Sequence, residues 1–355
     1  MTLNIHDSIA KDLRIALVAP HRLSSTRGNS ITILRVASEM ESMGATVRIW
    51  EADRQSDVCA IASQIVGFKP SVINGFHAYH FSRLALRLRQ ITDVPIVVTA
   101  TGTDVNVNLY AESSRRITAR CLRAAAAVVV FSSATADRLN FEIMLPREEV
   151  RVIPQAVDEA PVVEEEAPLR RSADDFVLCL PSALRRVKNP LFCLAPIHSL
   201  RTEYPNLCVV FAGSPLEPEV LDELMRETRD MPWVNYLGDL PHNRIPDLIR
   251  RSDVVVSSSL SEGMSSTLLE AMSLGTPVLA SNVEGNKAII EDGVDGLLFD
   301  SEADFIQQME KLIEDPELRR KLTSNAEKRI ARDHLPEKEA HAYVTLYKEL
   351  AGLGE

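Results

Sequence analysis

The chain has 355 residues, 45% hydrophobic and 25% charged, with a formal net charge of −11. That length suits two domains with a core each, and the composition excludes a disordered or fibrous chain. The acidic balance excludes a non-specific nucleic-acid binder, because phosphate backbones are held by clustered Lys and Arg.

The acidity is concentrated in the second half. Residues 1–160 carry 18 basic against 16 acidic side chains, and the remainder 21 against 34. Arg83, Arg87 and Arg89, then Arg115, Arg116, Arg120 and Arg123, form local basic groups. They read either as solvated helix faces or as a docking surface for an anionic acceptor or an acidic lipid, that is, a peripheral membrane contact. Five cysteines without C-x-x-C spacing predict reduced thiols used as small hydrophobes, not a disulfide framework or structural zinc. No secretory signal is visible, and the longest apolar run, 124–131, is far short of the ~18 residues of a membrane span. A cytoplasmic location is the expectation.

In chain order, residues 13–19 are a near-continuous apolar run ending at Pro20, the pattern of a parallel strand buried on both faces. Residues 30–43 place Ile33, Val36, Ala37 and Met40 on one helical stripe, closed by Gly44 as a C-cap. Further strands are predicted at 46–51, 71–75, 95–100, 126–131 and 150–154, with helices between them. Residues 160–172, rich in Pro, Glu and Arg, read as a linker. The alternation restarts at 176–180 and continues at 207–213, 253–258 and 276–280. A helix over 336–350 follows. The expected architecture is α/β: two doubly wound parallel sheets, over 1–160 and 173–335, facing a cleft.

The chemistry is predicted at two loops of the second domain. A strand over 253–256 feeds the loop Ser259-Leu-Ser-Glu-Gly-Met-Ser265, at the carboxyl edge where such sheets bind ligands. Ser265 or Ser266 can cap the following helix, whose free N–H groups and dipole suit a diphosphate. Glu262 and Glu270 flank that place, and each can accept several hydrogen bonds from sugar or ribose hydroxyls. An acidic loop with an exposed helix glutamate is the plainer reading. The second loop is Ser182-Ala-Leu-Arg-Arg-Val-Lys-Asn-Pro190. Its cations are poorly placed for a helix dipole and better placed to face an anion, with a solvated basic turn as the alternative.

Taken together, Glu262-x7-Glu270, the basic 184–189 segment, the turn Phe211-Ala-Gly-Ser-Pro215 and the stretch 283–299 resemble the donor domain of retaining glycosyltransferases of family 4. The resemblance covers nearly the whole chain and is strongest from about 176 to 300. It implies a GT-B fold, two Rossmann-like domains, with the C-terminal residues 336–355 packing back on the first domain. By resemblance, Arg185 and Lys188 grip the diphosphate, Glu262 contacts the transferred sugar and Glu270 the ribose. Gly263, Met264, Ser265 and Ser266 line the phosphate site with Gly213 nearby. In the first domain, Arg27-Gly28-Asn29 stands where the family carries a glycine pair, so Gly28 and Asn29 are candidate donor contacts.

His77 matches a cleft position, as a catalytic or acceptor-side residue or as a structural histidine. Thr101-Gly-Thr-Asp104 matches the family's His-Gly-x-Asp, with Thr101 in place of the His; Gly102, Thr103 and Asp104 are acceptor-side candidates. Ala288 replaces a glutamate common after the family's Gly-Gly turn, where Gly285 and Asn286 stand instead. The combination is closest to the small proteins named for a glycosyltransferase-1 domain, and more loosely to the selenosugar synthases.

The implied activity is transfer with retention from a nucleoside-diphosphate sugar, UDP-sugar first, to an acceptor that includes small molecules. No cofactor is implied, and no Asp-x-Asp holds a metal. The alternatives are a GT-B epimerase or phosphorylase, or a nucleotide-sugar-binding protein without transfer. A dinucleotide-dependent oxidoreductase is set aside, because the loop after the first strand has only Gly28.

Overall fold

The computed structural model describes residues 9–23, 28–53, 55–158 and 168–353. The chain divides into two compact units, one of 1–156 with 334–355 and one of 157–333.

The first unit opens with β1 (Arg14–Ala19), α1 (Gly28–Ser42), β2 (Thr46–Glu51), α2 (Val58–Phe68) and β3 (Val72–Phe76). It continues with α3 (Ala78–Leu88), β4 (Ile96–Thr99), α4 (Glu112–Arg123), β5 (Ala127–Val130), α5 (Ser133–Ile143) and β6 (Val150–Val152). The sheet runs β2-β1-β3-β4-β5-β6, parallel throughout, with Ile15 opposite both Val47 and Val72. Strands such as β3 and β5 are buried at every residue, which is why they read as unbroken apolar runs. α1 buries the stripe Ile33, Val36, Ala37 and Met40, and Gly44 follows it with φ +93°.

The second unit contains β7 (Phe176–Pro181), α6 (Leu194–Leu200), β8 (Leu207–Ala212), α7 (Pro218–Glu227), β9 (Val234–Tyr236) and α8 (Ile245–Arg250). After them come β10 (Val254–Ser257), α9 (Ser266–Ser273), β11 (Val278–Ser281), α10 (Glu284–Lys287), β12 (Leu297–Phe299), α11 (Glu302–Glu314) and α12 (Pro316–Asp333). This sheet runs β12-β11-β10-β7-β8-β9, again parallel. Its outermost strands, β9 and β12, were not among the strands predicted. Each has only three residues, too few to show a period.

The last helix, α13 (Pro336–Ala351), belongs to the first unit. It buries Ala340, Tyr343, Val344 and Tyr347 in the core that also holds Ile33, Val36 and Phe76. The tyrosine hydroxyls reach polar partners on the sheet: Asn74 Nδ2 donates to Tyr347 Oη at 2.7 Å, and Thr99 Oγ1 lies 3.4 Å from Tyr343 Oη. Burial pushes both phenols above their ordinary range. Arg35 on α1 and Glu339 on α13 form an ion pair of 2.9 Å with side chains only 4% and 1% exposed. His334 Nδ1 meets the Gln155 carbonyl at 2.7 Å, fixing the chain where it re-enters this unit.

All five cysteines are free. Three are buried, and desolvation pushes the Cys121, Cys179 and Cys193 thiols up to about 12, so they act as apolar side chains.

Removing one partner of a buried pair costs about 3–5 kcal/mol, because it strands the other charge. Glu339→Ala is therefore expected to lower the first unit's melting midpoint by roughly 10 °C. Scanning calorimetry would show it, and an unchanged transition would refute the role given to this pair.

Candidate active site

In the second sheet the chain starts at β7, fills one side with β8 and β9, then crosses to β10 on the other side. The loops after β7 and β10 therefore leave neighbouring strands in opposite directions and open a crevice at their carboxyl ends. After β7, a 3-10 turn over Arg186–Lys188 is closed by Asn189 in the left-handed region (φ 47°), and Pro190 starts the next turn. After β10 the chain runs through Ser258–Ser265 into α9. The two loops are laced by one backbone and one side-chain bond: Leu260 N–H donates to Val187 O at 2.8 Å, and Ser258 Oγ donates to Asn189 O at 2.8 Å.

The lacing brings Lys188 Nζ to 2.5 Å from Glu262 Oε1, with side chains 24% and 10% exposed. Ser259 Oγ donates to the same oxygen at 2.6 Å. Arg185 Nε lies 3.6 Å from Glu217 Oε1, and Arg186 N–H donates to Glu217 Oε2 at 2.9 Å. Both predicted cations thus face carboxylates, Lys188 one on the loop after β10 and Arg185 one at the start of α7. Glu217 and Ser259 escaped the sequence reading. Ser259 stands in the quoted loop three residues before Glu262, but nothing local marks Glu217.

Two glycines permit the close approaches. Gly213 has φ +148°, and a Cβ on it would fall 2.2 Å from Ser182 O. A Cβ on Gly285 would fall 2.5 Å from Glu262 O, so the Glu262 loop rests directly on α10. Ser265 caps α9, accepting from Leu268 N–H at 3.5 Å, and α9 buries Leu268, Leu269 and Met272. The Met264 and Ser265 side chains are buried, whereas Gly263, Ser266 and Glu270 are part-exposed.

The first sheet has its own switch, between β1 and β3. Gly28 and Asn29 begin α1, and Asn29 Nδ2 donates to Thr101 Oγ1 at 3.4 Å. Arg27, beside Gly28, lies outside the described residues. His77 directly follows β3 with φ +70°, a conformation that costs a non-glycine residue energy. It is held there by its N–H donating to Thr99 O at 2.8 Å and by His80 N–H donating to its Nδ1 at 3.5 Å. Gly102 takes φ +117° and is buried, and Thr103 is part-exposed.

Asp104 is wholly buried and takes backbone N–H bonds from Ala78, Thr101, Gly102 and Val105 at 2.7–3.3 Å. Its carboxylate ties the loop after β4 to the first turn of α3. The side chain expected at an acceptor is engaged in ordering the backbone around it. Among the described residues no group of three or more His, Cys, Asp or Glu could hold a metal ion, and no helix is long and apolar enough to cross a membrane.

Residues 163–329 match the family described as glycosyl transferases group 1, and residues 53–160 match glycosyltransferase family 4. The glycosyltransferase 1 domain-containing protein 1 of Xenopus tropicalis is 29% identical over 338 residues, 92% of this chain and 96% of the relative. Sucrose-phosphate synthase from Thermosynechococcus elongatus superposes with a TM-score of 0.82 at 17% identity, over 96% of this chain and all of that one. HepE of Anabaena, solved with UDP and glucose, gives 0.75 at 16% identity, over 95% of this chain and 100% of that one. The chain thus carries a glycosyltransferase family 4 domain over residues 53–160 and a glycosyl transferases group 1 domain over residues 163–329, and the solved structures show that its fold is GT-B.

Proposed function

We propose that the protein transfers a sugar from a nucleoside-diphosphate sugar, with retention at the anomeric carbon and without a metal ion. The observation that carries this reading is the Lys188–Glu262 contact at the switch of the second sheet. A cation and a carboxylate sit side by side next to the start of α9, where a diphosphate and a sugar can be held together. That HepE of Anabaena was solved with UDP-glucose supports UDP as the first base to test.

On this reading Lys188 and Arg185 exchange their carboxylate partners for the diphosphate, Arg185 in bidentate fashion and Lys188 as a point charge. The amides of Gly263–Ser265 add donors. Glu262 then serves the transferred sugar and Glu270 the ribose. The anomeric carbon–oxygen bond to phosphate breaks, and the leaving charge is stabilised by Arg185, Lys188 and the helix amides. The acceptor forms its bond on the same face and passes its proton to a phosphate oxygen, so no strong base is required. In the first unit we assign acceptor-side roles to His77, Gly102 and Thr103, with Asp104 holding the loop. Gly28 and Asn29 remain the donor contacts proposed there. The protein acts in the cytoplasm.

Thermal melting with UDP, GDP, ADP and their sugar conjugates tests the donor site. At 100 times the dissociation constant a ligand adds about 2.7 kcal/mol, worth about 2–4 °C per kcal/mol in a domain of this size. One nucleotude series is expected to raise the midpoint, and Glu270→Ala to abolish the rise. Absence of any rise in the parent would overturn the donor reading. Release of nucleoside diphosphate separates transfer from epimerisation, which returns the nucleotide sugar intact. Excess chelator is expected to leave turnover within about twofold of the untreated rate, since Lys188 and Arg185 supply the positive charge. A loss restored by adding a divalent ion would refute metal independence.

A further inference from the structure

We infer that Ser259, braced by Ser281 and Asn286, is a positioning residue that fixes the Glu262 carboxylate when Lys188 turns to the donor's diphosphate; this rests on the donor reading above. Ser259 is 2% exposed, and its hydroxyl shares Glu262 Oε1 with the Lys188 ammonium. A diphosphate that draws Lys188 away leaves the Ser259 bond in place on that oxygen. The short bond from Ser259 is the neutral one, so no anion competes for it.

The brace behind Ser259 is directional. Asn286 Nδ2 donates to Ser281 O at 2.9 Å and to Ser281 Oγ at 3.3 Å. Ser281 Oγ donates in turn to Ser259 O at 2.6 Å. Ser257 Oγ donates to Ser259 Oγ at 3.4 Å, leaving the Ser259 proton for the carboxylate. Asn286 of α10 thus holds Ser281 at the end of β11, Ser281 holds the Ser259 carbonyl, and Ser257 at the end of β10 meets the Ser259 hydroxyl. Gly285, next to Asn286, lets α10 press against the Glu262 backbone from beneath.

Asn286 is completely buried, yet its Oδ1 meets no partner among the described residues. An unpaired buried acceptor is destabilising, so stability alone does not account for an asparagine at this place. Its amide hydrogens are what the arrangement uses. A carboxylate held within a narrow range of angles discriminates sugar hydroxyls, and one free to rotate does not.

The test is calorimetric titration with UDP and with UDP-glucose, on the parent, Ser259→Ala, Ser281→Ala, Glu262→Gln and the Ser259→Ala/Glu262→Gln double variant. UDP affinity is expected to stay within about twofold in the two single serine variants, since neither serine is assigned to the nucleotide. UDP-glucose is expected to bind about tenfold more weakly to Ser259→Ala and about threefold more weakly to Ser281→Ala. In the Glu262→Gln background, Ser259→Ala is expected to add less than about twofold, because its effect runs through the carboxylate. Equal losses for UDP and UDP-glucose, or full additivity with Glu262→Gln, would overturn the inference. If Glu262→Gln leaves the ratio of the two affinities unchanged, the assignment of Glu262 to the sugar fails first. If it changes the ratio and neither serine variant does, only the positioning role fails.

Discussion

A parallel sheet buried on both faces can be continued only by helices that carry the chain back to the opposite edge. Every strand in both units obeys this, so every strand ends in a loop at the same edge of its sheet. Where the strand order reverses, two such loops part and leave room. In the second unit those are the loops after β7 and β10, and they hold Arg185, Lys188, Glu262 and the start of α9. The chemistry proposed for this protein is placed by the winding of the sheet.

Within that crevice the electrostatics are poised for exchange. Lys188 and Glu262 are mostly removed from solvent, and each satisfies the other. A part-buried pair contributes little net stability, since the desolvation cost offsets much of the attraction. Replacing one carboxylate by a diphosphate therefore asks for little reorganisation. Arg185 with Glu217 repeats the arrangement at a more exposed position. Two glycine contacts, Gly213 against Ser182 and Gly285 against Glu262, hold the loops at distances that any side chain would prevent.

The first unit shows a different use of polar groups. The Arg35–Glu339 pair and the hydroxyls of Tyr343 and Tyr347 fasten the last helix to α1, β4 and β3, far along the chain from its partners. Asp104 gathers backbone N–H groups from both sides of a turn, and His77 is kept at a costly φ by strand and helix bonds. Rigidity at the carboxyl edge of this sheet comes from such local satisfaction and not from apolar packing alone.

Much of this was legible in the residues themselves. Buried parallel strands are long apolar runs, so β1, β7 and β10 stood out, as did the stripe of α1. The loop cations and the paired glutamates were visible because charges at a strand's carboxyl end have few structural uses. What the sequence could not reveal lies in pairings across the chain. That Asp104 accepts from four backbone amides shows only in the fold. Nothing local marks Glu217, and β9 and β12 are too short to carry a period. Periodicity is a property of neighbours and is written locally. The meeting of Lys188 with Glu262, 74 residues apart, depends on the order in which strands pair, and only the tertiary structure decides that.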